Sequence, residues 1–220
     1  MMIKNTKSFI EFCKEIGIID IIGKEPSMKF IEKEGIDNYH PKNKDFRKKK
    51  NVLKKSKSIG KEEKLEGLRL RIKNLSCNLK DTATNLVYCD GNVNAKVMVI
   101  GGVPGTEEDR VGIPFVGETG KLLYDMLFHV GLTKLNCYFS NLIFWRPPGN
   151  RLPNPEEIET CLPYTKDHIE IIQPEIIILV GGLAAKNLLN ITDSITKMRG
   201  KNFIYSHKSL KIKTFVIFQP

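Results

Sequence analysis

Residues 95–101 read AKVMVIG, a short apolar run that ends in glycine. Three similar runs follow it, CYFSNLI at 137–143, EIIILVG at 175–181 and TFVIF at 214–218. These runs lack the polar alternation of a half-exposed strand, so we expect four strands buried on both faces. Segments whose apolar residues have helical spacing lie between these runs. This alternation of strands and helices predicts a three-layer α/β/α fold with a central four-stranded, mainly parallel sheet. The helices are predicted at 62–73, 122–130, 156–172 and 183–189.

Composition and charge indicate a folded protein with an anionic partner. The chain has 220 residues, 41% of them hydrophobic, and a formal net charge of +10. This composition excludes a wholly disordered chain, and the charge favours nucleic acid or a membrane surface as partner. The charge is uneven, since residues 42–57 hold nine basic residues and one acidic residue. We therefore expect a helical N-terminal extension at 1–37, a flexible basic linker at 38–61 and a compact domain at 62–220. The linker is either a solvated spacer or a tether that raises nonspecific affinity for DNA.

The cysteines indicate a reducing compartment. They number five, they are widely spaced, and no CxxC motif is present. The N-terminus has no apolar signal core, and the longest aliphatic run, residues 176–180, is too short to span a bilayer. We expect a soluble cytoplasmic protein with no metal site recognisable from spacing alone.

The segments that follow the predicted strands are the candidate binding loops, because parallel sheets bind ligands at the carboxyl ends of their strands. The first loop, Gly101 to Gly105, could bring the backbone N–H groups of Gly102 and Val103 close to a ligand, or be only a tight turn. It matches neither a Walker loop nor a GxGxxG fingerprint.

Two further side chains stand out near the strand ends. Phe115 follows Pro114 and comes two residues before Gly117 in the GIPFVG run at 112–117, where it is either an exposed stacking platform or a ring under its own loop. Asn141 closes an apolar strand, and its amide could read the edge of a base or cap the loop. Arg146 and Arg151 flank a Pro-Pro segment, which suits phosphate contact, although both could simply be solvated.

Taken together, three runs resemble the family 4 type of uracil-DNA glycosylase. They are GGVPGTEEDRVGIPFVGETGKLL, SNLIFWRPPGNRLPNPEEIETCLPY and PEIIILVGGLAAKNLL. The likeness covers about residues 62–220 and is nearest to an alphaproteobacterial branch that carries the segment seen here at 77–92. It implies an enzyme of base excision repair that hydrolyses the N-glycosidic bond of uracil in DNA after flipping the nucleotide from the stack. It implies that Phe115 stacks on the uracil, that Asn141 pairs with its edge, and that the first loop donates N–H groups.

The sequence departs from the family pattern in its first loop and its cysteines. Gly102 stands where the family usually has an acid, and Val103 where it has a small residue, although backbone donors survive this change. Many members hold a [4Fe–4S] cluster on four cysteines, of which this chain keeps Cys77 and Cys161. Asn74 and Trp145 occupy the other two positions, so we expect no bound cofactor, with a [4Fe–4S] cluster as the alternative.

The end of the sequence also departs from the pattern. Gln219 stands where the family has an active-site histidine, and the wedge loop and final helix that would follow are absent from the sequence. We therefore expect a C-terminally incomplete domain. Three hypotheses remain: an active uracil-DNA glycosylase, an impaired remnant that binds DNA weakly, and an unrelated nucleotide-binding module. We expect a monomer whose N-terminal extension is a candidate for docking a repair or replication protein.

Overall fold

Six strands form one sheet in the computed structural model, which describes residues 60–220. The strands lie side by side in the order β1-β3-β2-β4-β6-β5. Their bounds are Cys89–Gly91 for β1, Val97–Gly101 for β2, Cys137–Asn141 for β3, Ile176–Val180 for β4, Asn202–His207 for β5 and Leu210–Ile217 for β6.

The four central strands, β3, β2, β4 and β6, are parallel. Gly101 pairs with Asn141, so β2 and β3 end side by side. The ladder continues one step further, because the backbone N–H groups of Leu142 and Ile143 donate to the carbonyls of Gly101 and Gly102 at 2.9 and 3.0 Å. The loops that follow these strands consequently leave the sheet at a single edge.

The prediction of a four-stranded sheet is wrong in its strand count. The predicted strands are the parallel centre, and one antiparallel strand extends the sheet on each side, β1 beside β3 and β5 beside β6. β1 spans only three residues, which is too short for any pattern to register. β5 joins β6 through Lys208 and Ser209 with no glycine at the turn, although Lys208 has a φ of 52°, so the usual hairpin signal is missing.

The helices follow the predicted order, with three short additions. The predicted helices at 62–73, 122–130, 156–172 and 183–189 correspond to α1, α4, α5 and α6, while α2, α3 and α7 were not expected. Asn154 caps α5 as its sequence indicates, since its Oδ1 accepts from the N–H of Glu157 at 2.8 Å. The bounds are Lys61–Lys73 for α1, Asn78–Thr82 for α2, Thr106–Val111 for α3, Glu118–Phe128 for α4, Pro155–Ile172 for α5, Gly182–Leu189 for α6 and Ile195–Met198 for α7.

Helices cover both faces of the sheet, which confirms the three-layer α/β/α arrangement. One face packs against apolar side chains of α1, α5 and α6, such as Leu68, Ile172 and Ala185. The other face packs against α4 through Leu123 and Leu127. A parallel sheet covered in this way leaves its strand-end edge open for a ligand.

The predicted N-terminal extension at 1–37 and nearly all of the linker at 38–61 lie outside the described residues. At the boundary, Lys61 opens α1, and its Nζ donates to the carbonyl of Ile172 at 2.6 Å. Within residues 60–220, no helix is long and apolar enough to cross a membrane.

Candidate active site

A cavity of about 380 Å³ opens at the strand-end edge of the sheet. This volume lies in the range of small-molecule sites. The walls come from the carboxyl ends of β2, β3 and β4, from the loops after β2 and β3, from the segment after β6, from Glu108 and Phe115, and from the start of α4. The residues that line it are Gly101, Gly102, Val103, Pro104, Gly105, Glu108, Phe115, Thr119, Asn141, Asn150, Leu152, Val180, Gln219 and Pro220.

Phe115 forms one wall of the cavity. Its ring is half-buried and meets Phe139 of β3 edge to face, with centroids 5.9 Å apart. The residue has a φ of 58°, an uncommon backbone conformation for a bulky side chain. The ring therefore packs against the core with one part and lines the cavity with another. The two alternatives for Phe115, a stacking platform and a packed ring, are compatible in this structure.

Asn141 presents a buried amide to the same cavity. The residue is 3% exposed, and its side chain has no hydrogen-bond partner among the described residues. A Cβ at Gly101 would lie 2.5 Å from Oδ1 of Asn141 and 2.8 Å from Cζ of Phe115. Only glycine at 101 lets the ring and the amide approach each other, and a buried amide without a partner is suited to bind a ligand.

The glycine loop lines the cavity, and hydrogen bonds fix part of its backbone. The carbonyls of Gly101 and Gly102 accept hydrogen bonds from the chain after β3, which fixes the direction of their peptide planes. The N–H groups of Gly102 and Val103 have no acceptor among the described residues. Two free donors on a fixed backbone can bind an oxygen that carries negative charge.

Glu108 connects two loops of the site, and sequence reasoning did not assign it a role. Its Oε2 accepts from the N–H of Gly105 at 3.1 Å, and its Oε1 accepts from the N–H of Gly117 at 2.8 Å. The carboxylate thereby bridges the glycine loop and the loop that carries Phe115. Its position was an available signal. Gly105 immediately precedes α3, and a glutamate three residues after such a residue often accepts a hydrogen bond from that residue's backbone N–H.

Gln219 reaches the cavity from the segment after β6. A Cβ at Gly181, whose φ is 87°, would lie 3.3 Å from its Oε1. The structure therefore brings Gln219 together with Phe115, Asn141 and the glycine loop. An amide there can donate or accept a hydrogen bond but cannot carry a positive charge.

The two arginines predicted to contact phosphate do not line the cavity. Nε of Arg146 donates to Oδ1 of Asn150 at 2.7 Å. Arg151 forms two hydrogen bonds with the carboxylate of Glu157, at 2.9 and 2.6 Å, and the bond from Arg151 holds the pKa of Glu157 below its ordinary value. Arg146 is thus bonded within its own loop and Arg151 to the first turn of α5, and a phosphate contact for them stays a prediction.

Several other lining residues carried no recognisable sequence signal. Thr119 and Val180 belong to α4 and β4, whereas Asn150 and Leu152 lie on the loop between β3 and α5. Their place in the site becomes apparent only from the fold, which brings these segments of the chain together.

The arrangement suits a planar ligand with polar edges. An aromatic ring offers stacking, a buried amide offers a donor and an acceptor, and backbone N–H groups offer charge stabilisation. A family model described as the uracil DNA glycosylase superfamily matches residues 89–220. The chain belongs to this superfamily. The resemblance inferred from its three sequence runs is confirmed.

Relatives in the superfamily match most of the described residues. The type-4 uracil-DNA glycosylase of Archaeoglobus fulgidus is 38% identical over 141 residues, covering 62% of this chain and 71% of that protein. The type-4 enzyme of Sulfurisphaera tokodaii is 38% identical over 142 residues, covering 62% of this chain and 64% of its own. The type-4 enzyme of Saccharolobus solfataricus is 40% identical over 141 residues, covering 62% of this chain and 65% of that protein.

The residues at the family's cluster positions do not fit a four-cysteine iron–sulfur site. Cys161 is fully buried and packs in one apolar cluster with Trp145 and Cys77. Burial, with a smaller contribution from Cys77, raises the pKa of the Cys161 thiol to about 12, which disfavours the thiolate. Asn74 is exposed, and its backbone N–H caps α1. Among the described residues, no group of three or more His, Cys, Asp and Glu side chains is placed to hold a metal ion.

Proposed function

We propose that this protein is a uracil-DNA glycosylase that hydrolyses the N-glycosidic bond of uracil in DNA. The observation that carries the proposal is the convergence of Phe115, Asn141 and the glycine loop on one cavity, in a chain of the uracil DNA glycosylase superfamily. Because a base within a duplex cannot reach such a cavity, the nucleotide has to be flipped out of the stack.

Each wall of the cavity has a role in this reaction. The Phe115 ring stacks on the flipped uracil, and the Asn141 amide donates to one polar atom of its edge while accepting from another. Cytosine presents the opposite pattern at that edge, so an amide in the orientation that pairs with uracil does not pair with cytosine.

The bond cleavage places negative charge on the leaving base. Water adds to C1′ of the sugar and releases one proton to solvent, the electron pair of the N1–C1′ bond passes to uracil, and the base leaves as an anion that then takes up a proton. The N–H groups of Gly102 and Val103 stabilise that charge more in the transition state than in the ground state. Gln219 adds at most a neutral hydrogen bond, so charge stabilisation in this chain rests on the backbone.

We further propose that the enzyme works as a monomer without a resident iron–sulfur cluster and acts in the cytoplasm. The mismatch of Asn74 and Trp145 with a four-thiolate site supports the absence of a cluster. The odd cysteine count supports a reducing compartment.

A pair of glycine substitutions tests the proposed function. We expect the wild-type protein to release uracil from a single-uracil oligonucleotide, measured as alkali-labile abasic sites. Gly101→Ala places a methyl group between Phe115 and Asn141, where the contacts of 2.8 and 2.5 Å leave no room. The excision rate should then fall about tenfold or more, because overpacking a fitted site costs about 1–3 kcal/mol.

Gly67→Ala is the matched control. Gly67 lies in α1, and an added Cβ there would meet nothing within 4 Å. This variant should excise uracil at the wild-type rate. Absence of abasic sites at stoichiometric wild-type protein would refute the proposal and favour the alternative of a remnant that only binds DNA.

A further inference from the structure

The surface of β5 and β6 on the α4 side of the sheet is incompletely covered. On the opposite side, these strands are buried against α6 and α7. On the α4 side, Ile204 is 59% exposed, and Phe215 and Ile217 are only half-buried. We call this surface the open face, and its side chains are those of Asn202, Ile204, Ser206, Lys211, Lys213, Phe215 and Ile217.

The open face lies in a positively charged part of the chain. Residues 194–220 hold six lysines and arginines and no aspartate or glutamate. Lys213 pairs with Ile204 across the two strands, and Lys211 lies on the same face two residues earlier. Nζ of Lys213 lies 5.7 Å from the centroid of the Phe215 ring. An occupant that fits this face should therefore combine an apolar stripe with acidic groups.

The described chain begins close to one end of the open face. Nζ of Lys61 donates to the carbonyl of Ile172 at the end of α5. Lys208, in the turn between β5 and β6, forms an ion pair with Glu170, two residues earlier in α5. The part of the chain that precedes residue 60 therefore starts near the β5–β6 turn.

One stretch of that preceding part has the character that the open face requires. Residues 7–17, KSFIEFCKEIG, lie outside the described residues. At helical spacing, Glu11 and Glu15 share one flank of an apolar stripe. Residues 18–59 can span more than about 100 Å, so their length allows this stretch to reach the open face. The stripe consists of Phe9, Phe12, Cys13 and Ile16.

We propose that residues 7–17 dock as an amphipathic helix on the open face of the same chain. The apolar stripe covers Ile204 and Ile217, and the two glutamates face the lysines of β6. A second copy fits less well, because two basic faces repel each other. Nucleic acid also fits less well, because the exposed side chain at the centre, Ile204, offers neither charge nor a stacking ring. Since the segment is tethered, docking is intramolecular and needs little intrinsic affinity.

Cys13 reports this docking, because it lies within the apolar stripe. Alkylation of the full chain by iodoacetamide is followed at each cysteine by mass spectrometry. Cys13 should react at least about tenfold more slowly in the wild-type chain than in a synthetic peptide of residues 1–22, because a covered thiol reacts only in the open state. Equal rates in the chain and the peptide would overturn the proposal.

Two substitutions should release the segment. Ile204→Asp places a charge at the centre of the open face, and Phe12→Asp breaks the apolar stripe without altering the domain. Each should bring Cys13 to the peptide rate. Protection that persists in Ile204→Asp would place the segment elsewhere and overturn the proposal.

Leu70→Asp is the matched control, because Leu70 is likewise exposed but lies on α1, on the other face of the sheet. It should leave Cys13 protected. The buried Cys161 should stay unreactive in every variant, which verifies that the domain remains folded. Release of Cys13 by Leu70→Asp as well would show that the effect is not specific to the open face and would overturn the proposal.

Two other outcomes would assign the open face to a different occupant and overturn the proposal. Protection of Cys13 that falls as the protein is diluted would show that a second copy supplies the segment. An unprotected Cys13, together with binding of a single-stranded oligonucleotide that Ile204→Asp and Lys211→Glu weaken, would assign the face to nucleic acid. None of these measurements requires excision of uracil, so the docking and the proposed function fail independently.

Discussion

At Phe115 the chain accepts an unfavourable backbone conformation at the centre of its proposed site. A φ of 58° costs a bulky residue of order 1–3 kcal/mol, so the surroundings have to impose it. Gly120 contributes, because a Cβ there would collide with the Phe115 carbonyl. Gly101 leaves room for the ring tip on the other side. The strained residue is therefore held between two glycines that let α4 and β2 approach it.

Asn141 is the residue that we expect to distinguish uracil from cytosine. Asn141→Asp removes the amide donor and leaves only acceptors, so uracil loses a hydrogen bond while the amino group of cytosine gains an acceptor. The uracil-to-cytosine ratio of excision rates should fall at least about tenfold, since an unpaired buried polar group costs about 1–3 kcal/mol. Paired oligonucleotides that differ in that one base measure the ratio.

Asn150→Asp is the control for this substitution. Asn150 also lines the cavity, but its Oδ1 already accepts from Arg146, and an aspartate can keep that bond. This variant should retain wild-type selection. Unchanged rejection of cytosine by Asn141→Asp would show that another group reads the base.

Among the elements, the glycine loop and the loop of Phe115 are joined through Glu108, at the start of α3. Glu108→Gln keeps one acceptor oxygen but turns an NH₂ group toward the second backbone N–H, so one of the two bonds is lost. A hydrogen bond to a charged group is worth about 1.5–3 kcal/mol. We expect lower thermal stability and a severalfold slower single-turnover rate on single-stranded uracil DNA.

Glu107→Gln is a matched control one position earlier. Glu107 is exposed and forms its ion pair with Arg110 on the surface of α3, where such pairs contribute about 0–1 kcal/mol. It should leave rate and stability nearly unchanged. If both variants behave alike, Glu108 does not hold the two loops in register.

The long elements were predictable because their patterns are local. The apolar runs at 95–101 and 175–181 gave β2 and β4, and Asn154-Pro155 marked the start of α5. The edge strand β1 is too short to have a pattern, and β5 depends on pairing with β6. Pairing across a sheet is a tertiary property that single-sequence patterns do not contain.

The residues of the candidate site likewise fall into those that the sequence predicts and those that it does not. Phe115, Asn141 and the glycine loop were identified because their residue types are unusual at strand ends, and the cavity contains all of them. The pairing of Arg151 with Glu157 was not foreseen, because its partner lies in the first turn of α5 and the Pro-Pro segment suggested an outward-facing side chain. Leu152 was missed because a leucine carries no chemical signal of its own.

For the molecule as a whole, a buried histidine should set the response of stability to acid. His168 of α5 is fully buried, and its ring contacts those of Tyr88, Tyr138 and Phe144. Its Nδ1 lies 3.3 Å from Oγ of Ser140, and its Nε2 has no hydrogen-bond partner within residues 60–220. In the described part of the chain, the groups that face the ring are phenol, phenyl and hydroxyl groups, which do not titrate between pH 5 and 7.

Burial lowers the pKa of His168 from 6.5 to about 3, so the folded protein keeps the ring neutral while the unfolded chain binds a proton below pH 6.5. The stabilisation from the neutral ring is therefore complete above pH 6.5 and is lost as the pH falls toward 3. Between pH 7 and pH 5 the free energy of unfolding should drop by about 2 kcal/mol from this group, measured by urea denaturation. His168→Gln should flatten that dependence, whereas His129→Gln, at an exposed histidine, should retain it. A wild-type protein equally stable at pH 7 and pH 5 would show that the ring gains a proton without unfolding the core.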